Sequence, residues 1–289
     1  MIWDTFFQPF YDYGFMRRAL YGCITISVGA APIGVFLMLR RMSLTGDAIA
    51  CAILPGAAIG FLVSGLSLGA MTFGGVIAGL TVAMLSGFVS RVTSLREDAS
   101  LAAFYIISLA LGVVIVSTRG SNVDLMHVLF GTVLALDNSA LILLSTITTL
   151  STLTLAIFFR TLVLECVDPH FLRSVSSLST VTHFTFLALV VLNLVGGFHA
   201  LGTLMSVGIM ILPAAGARFW AVSVSGIMSV ALGIAMMSSL IGLLLSFNFS
   251  LPSGPAVILV AGTVYLLSLA FGTTDGIITK SIMQSTSTN

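Results

Sequence analysis

Charged residues are scarce in this chain of 289 residues: aspartate, glutamate, lysine and arginine together make up only 7% of it. Soluble domains carry about 25% charged residues, so the composition excludes a soluble globular protein. Hydrophobic residues make up 58%, and the mean hydropathy is +1.16. Apolar runs of about 20 residues, each enough to cross a hydrocarbon core of about 30 Å, recur along the whole length. The sequence therefore predicts an all-α polytopic membrane protein.

Other absences narrow the function. The three cysteines, Cys23, Cys51 and Cys166, are odd in number and scattered, so no disulfide framework is predicted. The N-terminus has no basic segment followed by a cleavage site, so we do not expect a cleaved secretory signal. The chain lacks a Gly-x-x-x-x-Gly-Lys-Ser/Thr phosphate-binding loop, and it lacks the His-Glu-x-x-His and Gly-x-Ser-x-Gly hydrolase patterns. We therefore expect no ATP hydrolysis by this chain alone and no intramembrane enzyme. The net charge of +1 gives no reason to expect a nucleic-acid partner.

Hydropathy predicts nine transmembrane helices. They lie near residues 18–39, 48–66, 68–90, 99–117, 139–159, 181–197, 199–217, 221–245 and 254–272. If these helices alternate strictly in direction, eight of the eleven lysines and arginines fall on the side of Arg40 and Arg41. Because cytoplasmic loops carry the excess of basic residues, we expect a cytoplasmic C-terminus and an N-terminus outside the cell.

Two apolar segments differ from plain spans. Residues 126–136 are too few to cross a bilayer, so we expect an interfacial or re-entrant piece on the outer side. The stretch 195–217 is interrupted by Gly202, Pro213 and four further glycines. Helix-breaking residues at membrane depth are tolerated where other helices or a cavity satisfy the backbone. This stretch is therefore expected to line a transport path, to permit close helix packing, or both.

Asp47 places a carboxyl group at the start of the second apolar segment, and Cys51 follows it by four residues. On a helix such a pair shares one face, about 6 Å apart along the axis. A carboxylate and a thiol stacked in this way form half of a site for a soft divalent metal. Burying an ionisable residue in a membrane is costly, which favours a functional role. The alternatives are that Asp47 caps its helix and that Cys51 is a small buried apolar residue.

The segment 160–180 connects two spans on the predicted cytoplasmic side and is long enough to contain a helix of its own. The pair Asp168-Pro169 is typical of a helix start, with aspartate as the N-cap and proline at the first helical position. The side chains that a short helix would present are His170, Phe171 and Arg173. Such a helix suits the docking of a soluble partner, and the alternative is an ordinary capped connector.

Histidines supply weaker candidates. His199 lies beside two glycines at the outer end of the interrupted stretch, where it is either a metal ligand at the mouth of a path or a hydrogen-bonded interfacial residue. His127, in the short outer segment, is a further candidate to meet an incoming metal. His183 is expected to be hydrogen-bonded scaffold.

Short motifs run in order along nearly the whole chain. They are Leu-Arg-Arg-Met-Ser-Leu at 39–44, Gly-Asp-Ala at 46–48, Leu-Pro-Gly at 54–56, Glu-Asp-Ala at 97–99, Leu-Phe-Gly at 129–131, Asp-Pro at 168–169, Leu-Pro-Ala-Ala at 212–215 and Pro-Ser-Gly-Pro at 252–255. In this order the motifs resemble those of the permease subunits of zinc, manganese and iron ABC importers.

The resemblance implies a fold similar to that of the type II, cobalamin-type importers, with residues 1–289 forming one permease domain in the inner membrane of a bacterium. It also implies a homodimer around one path, two ATPase subunits docked on the cytoplasmic segment 160–180, and an extracytoplasmic metal-binding protein. The metal ligands would be Asp47 and Cys51. Similar permeases usually carry histidine at the second position, and a thiolate favours zinc. We therefore expect zinc as the transported cargo, with no permanently bound cofactor. The alternatives are manganese or iron import by the same machinery, or a secondary transporter that needs no ATPase.

Overall fold

The computed structural model describes residues 8–64, 67–93, 97–118, 136–167, 178–274 and 276. Ten α-helices and no strand occur in these ranges. They are α1 (Gln8–Asp12), α2 (Gly14–Leu39), α3 (Thr45–Ser64), α4 (Leu68–Val92), α5 (Glu97–Thr118), α6 (Asn138–Val167), α7 (Leu178–Leu201), α8 (Thr203–Ala217), α9 (Val224–Phe249) and α10 (Ser253–Phe271). Eight of them are long and apolar enough to cross a bilayer. The all-α polytopic membrane fold is therefore confirmed.

The nine predicted spans correspond in order to helices α2 to α10, but α8 is shorter than expected. It begins at Thr203 rather than near residue 199, and its 15 residues extend only about 22 Å. Gly202 interrupts the helix and so shortens α8, because its backbone φ of 89° is one that residues with a side chain rarely adopt. The predicted interruption in 195–217 is thus confirmed and located at Gly202. The predicted outer segment 126–136 lies outside the described residues except for Leu136.

The turn between α7 and α8 is buried within the protein. Leu201 has no exposed surface, and Gly202 beside it is buried as well. The amide of Gly202 donates to the carbonyl of Phe198, and the amide of Ser206 donates to the carbonyl of Gly202. Irregular backbone at membrane depth needs such internal partners, because lipid supplies none.

Helices α2 and α7 are the most buried of the membrane-spanning helices. Helix α2 packs against α6, α7, α8 and α9, while α3 packs mainly against α4 and α5. Helix α7 contacts α2, α3, α4, α6 and α8, so it joins the two groups. Close approach requires glycine at Gly34 of α2, where an added Cβ would overlap the backbone carbonyl of Met210 in α8.

Contacts between helix ends agree with strict alternation. Arg40, after α2, contacts residues near the end of α6 and the start of α7, and Arg91 near the end of α4 donates to Thr180 at the start of α7. The segment after α8 pairs with the segment after α10 through Phe219 and Thr274. We call this side of the bundle the basic end. It holds Arg40, Arg41, Arg91, Arg160 and Arg218.

The opposite end holds Arg17 and Arg18 at the start of α2. Asp137, the residue before α6, lies near Arg18 at this end. Hydrogen bonds from the Ser139 hydroxyl and the Asn138 amide, together with attraction to Arg18, lower the pKa of Asp137. The remaining four basic residues, Arg96, Arg119, Arg173 and Lys280, lie outside the described ranges.

We predict that Gly34→Ala destabilises the fold, because its methyl group would displace α8 from α2. Overpacking of this kind costs about 1–3 kcal/mol, so the midpoint of thermal unfolding in detergent should fall by several degrees. The matched control is Gly262→Ala in α10, where an added Cβ meets no atom of the described chain within 4 Å. Equal melting of the two variants would contradict the close packing of α2 on α8.

Candidate metal site

One face of helix α3 is only partly covered by the other residues that the structure describes. Asp47, Cys51, Leu54 and Ala58 recur at helical spacing and all retain exposed surface. The buried residues on the other faces of α3 include Ala48, Ile49, Ala52, Ile53, Gly56 and Gly60. The structure therefore places Asp47 and Cys51 on one helix face, as the spacing predicts, and turns that face away from the protomer.

The turn before α3 is a Schellman motif that ends α2. The amide of Arg41 donates to the carbonyl of Met38, and the amide of Met42 donates to the carbonyl of Leu37. Arg41 adopts the left-handed conformation with a φ of 58°, although glycine is the usual residue there. The buried side chain of Met42 fixes the turn against the core. This compact turn positions Asp47 in the first turn of α3.

The side chain of Asp47 makes no hydrogen bond or ion pair with any other residue that the structure describes. The alternative that this carboxylate accepts a capping hydrogen bond therefore finds no support among those residues. A favourable interaction with the helix dipole remains, since Asp47 lies in the first turn. That interaction leaves the carboxylate oxygens available to a ligand.

A cavity of about 170 Å³ lies between the first turns of α3 and α5. Its lining residues are Leu44, Thr45, Asp47, Ala48, Asp98, Leu101, Ala102 and Tyr105. Asp98 thus lines the same cavity as Asp47, although Asp98 was not among the ligands predicted from the sequence. The signal was present, because Asp98, like Asp47, is an acid at the start of an apolar segment. Among the described residues, no three His, Cys, Asp or Glu side chains form a complete metal-binding group.

The structure does not bring the weaker histidine candidate to Asp47. His199 belongs to the last turn of α7, at the end of the bundle opposite the basic end, and its side chain is outside what the structure describes. From His183 to His199 the helix rises about 24 Å. The other predicted residues that lie outside the described ranges are His127 and the docking candidates Asp168, Pro169, His170, Phe171 and Arg173.

A buried ion pair joins three helices at the basic end. A guanidinium nitrogen of Arg40 donates to a carboxylate oxygen of Glu165 over 2.6 Å, and the two side chains are only 7% and 8% exposed. The Nδ1 atom of His183 is 3.4 Å from the other terminal nitrogen of Arg40 and 3.9 Å from Glu165. The guanidinium also stacks over the ring of Phe186, 4.4 Å from its centroid. These contacts agree with the scaffold role predicted for His183.

Helix α6 continues to Val167 and α7 begins at Leu178, so the ends of the predicted segment 160–180 belong to these two helices. The cluster borders both ends of the stretch between them, 168–177, which contains the predicted docking residues and lies outside the described ranges. Glu165 is three residues before Asp168, and His183 lies in the first turns of α7, which follows the segment. Arg40 in turn is five residues before Thr45, where α3 begins. Arg40 therefore connects the end of α6 and the start of α7 to the turn that leads into α3, where Asp47 lies.

Comparison with known proteins identifies similar chains. Residues 12–272 match the family model described as the ABC 3 transport family. The chain is 31% identical over 274 residues to the manganese transport system membrane protein MntC of Listeria innocua, covering 94% of this chain and 96% of that one. It is 28% identical over 271 residues to a probable iron transport system membrane protein of Haemophilus influenzae, covering 93% and 98%. In the structure of PsaBC from Streptococcus pneumoniae in complex with Fab, one chain matches with a TM-score of 0.83, 26% identity and coverage of 97% and 98%.

We predict that Glu165→Gln lowers stability by about 3–5 kcal/mol, because it leaves the Arg40 charge buried without its partner. The double change Arg40→Met with Glu165→Leu should recover much of that loss, since replacing both charges removes the desolvation penalty. Thermal unfolding in detergent measures both effects, with Arg160→Gln on the exposed surface of α6 as the control. Wild-type melting of Glu165→Gln would show that the pair does not hold the three helices.

Proposed function

Because the chain belongs to the ABC 3 transport family, we propose that it carries a divalent transition metal into a bacterial cell as the transmembrane subunit of an ABC importer. It is a permease subunit rather than an enzyme, and it contains no phosphate-binding loop. ATP hydrolysed by a partner subunit would drive transport. The proposal rests on the partly exposed face of α3, on which Asp47 and Cys51 lie one helical turn apart.

Manganese is the cargo that we favour. The expectation of zinc rested on the softness of the Cys51 thiol, and the names of the relatives give it no support: the Listeria protein is a manganese transport protein and the Haemophilus protein a probable iron transport protein. Manganese prefers carboxylate and water oxygens as ligands, and Asp47 supplies a carboxylate. Iron is the second candidate. Family membership argues against a secondary transporter that needs no ATPase.

A second copy of the chain would complete the site. The exposed face of α3 offers one carboxylate and one thiol per protomer, which is too few ligands to hold a divalent metal. If two protomers meet around an axis along these faces, four side-chain ligands converge. The remaining positions in the coordination shell would be filled by water, as hard cations permit.

The basic end would face the cytoplasm, because it holds Arg40, Arg41, Arg91, Arg160 and Arg218 while only Arg17 and Arg18 are described at the other end. Metal would then arrive from an extracytoplasmic binding protein near the end of α7 that contains His199. It would pause at Asp47 and Cys51, and leave into the cytoplasm. The ATPase would dock on the segment 160–180, and its motion would reach α3 through Arg40.

We predict that Asp47→Ala abolishes energy-dependent manganese uptake by vesicles that contain the full transporter. The loss should be at least about tenfold, because each protomer would lose its only charged ligand on the shared face. Cys51→Ser should retain most manganese uptake, since an oxygen donor suits that ion. Radioactive manganese and zinc are compared in the same vesicles. Undiminished manganese uptake by Asp47→Ala would refute the ligand assignment.

We predict that Asp168→Lys uncouples ATP hydrolysis from transport without unfolding the permease. The change would remove the helix cap and place a cation at the proposed contact with the ATPase. Metal-dependent stimulation of ATP hydrolysis is measured on the reconstituted complex, alongside its thermal unfolding. The control is Arg218→Gln, which removes an exposed charge from the basic end outside the segment 160–180. Retained coupling in Asp168→Lys would contradict docking at this position.

A further inference from the structure

We infer that the cavity between α3 and α5 is a second cation site, in which Asp98 and Thr45 bind a hard divalent metal together with Asp47. This inference rests on the proposed function, since the same metal would pass from one site to the next. Asp47 stands between them: it shares the exposed face of α3 with Cys51, and it lines the cavity with Asp98 and Thr45. The second site would lie at the basic end of the path.

Two of the side chains that line this cavity carry a buried oxygen atom that lacks a hydrogen-bond partner among the described residues. Thr45 is 1% exposed, and its hydroxyl oxygen makes no hydrogen bond there. One carboxylate oxygen of Asp98 is also buried and unpartnered. Buried polar atoms are nearly always paired, so each unpaired atom calls for an explanation. A bound cation with its water molecules satisfies both oxygens at once.

The donor set indicates the kind of cation. The proposed ligands are the carboxylates of Asp47 and Asp98 and the hydroxyl of Thr45, all of them oxygen donors. Cys51 does not line the cavity. Oxygen donors select hard ions such as manganese and magnesium over zinc, which prefers nitrogen and sulfur. The cavity of about 170 Å³ can hold an ion with several waters, since a water molecule takes about 30 Å³.

No described basic side chain neutralises the two carboxylates. Among the described residues, the acid that pairs with Arg40 and His183 is Glu165, which lies on the other side of the turn between α2 and α3. A divalent cation would balance the charge of these two carboxylates. Apolar side chains of Leu101 and Ala102 complete the wall.

Helix capping does not account for these groups. Asp98 is the second residue of α5, where a carboxylate usually accepts from backbone amides. Its buried oxygen accepts no such bond from the described chain. Thr45 begins α3, and its hydroxyl likewise caps no described amide. Both side chains therefore have coordination capacity left for a ligand.

The test measures binding of manganese and of zinc by the reconstituted full transporter, with bound manganese followed by electron paramagnetic resonance. Asp98→Asn should weaken manganese binding at least about tenfold and lower the number of manganese ions bound, while zinc binding changes less than about threefold. Thr45→Val, which keeps the shape and removes the hydroxyl, should weaken manganese binding in the same direction. Cys51→Ser should show the opposite preference, weakening zinc binding more than manganese binding.

The control is Tyr105→Phe, which alters the same cavity without removing a proposed ligand. If Asp98→Asn fails to fold, Thr45→Val decides the matter. Unchanged manganese binding in Thr45→Val and Asp98→Asn, in a transporter that still carries manganese, would overturn the second site and leave the proposed function intact. A wild-type transporter that neither binds nor carries a divalent metal would overturn both.

Discussion

The buried pair of Arg40 and Glu165 is the constraint on which the basic end of the molecule depends. Two opposite charges removed from water must stay together, because separation inside an apolar bundle would leave each one uncompensated. The pair therefore fixes the end of α2 against the end of α6, and His183 and Phe186 add the start of α7. The Schellman turn that follows leaves α3 little freedom in direction, so the position of Asp47 follows from this pair.

Packing in the rest of the bundle depends on the close approach of helix backbones. In lipid no hydrophobic effect drives apolar helix faces together, so van der Waals contact must stabilise them. Gly34 lets α8 lie directly on α2, and Gly202 allows α8 to begin inside the protein. Polar side chains contribute where helices cross: the amide of Asn193 in α7 donates to the hydroxyl of Ser151 in α6. These contacts keep α2 and α7 central.

The sequence was sufficient to predict features that depend on neighbours along the chain. Hydropathy located the nine apolar helices α2 to α10 of the described ranges, and the spacing of four residues placed Asp47 and Cys51 on one face, because helical periodicity is local. The Arg40–Glu165 contact spans 125 residues, and the shared cavity of Asp47 and Asp98 depends on how α3 packs on α5. Neither can be read from a single segment. The expectation of zinc rested on one thiol, whereas the choice of metal depends on the complete set of donors that a folded and assembled site brings together.

The exposure of Asp47 limits what can cover the open face of α3. A carboxylate within a membrane-spanning helix cannot remain against lipid without a large desolvation penalty. The same face continues through Leu54 and Ala58, which carry no charge and suit contact with another protein surface. Water near the carboxylate and protein along the apolar part satisfy both requirements. Two copies of α3 that meet along this face provide that combination, so the chemistry of one side chain supports a paired assembly with the metal path at its centre.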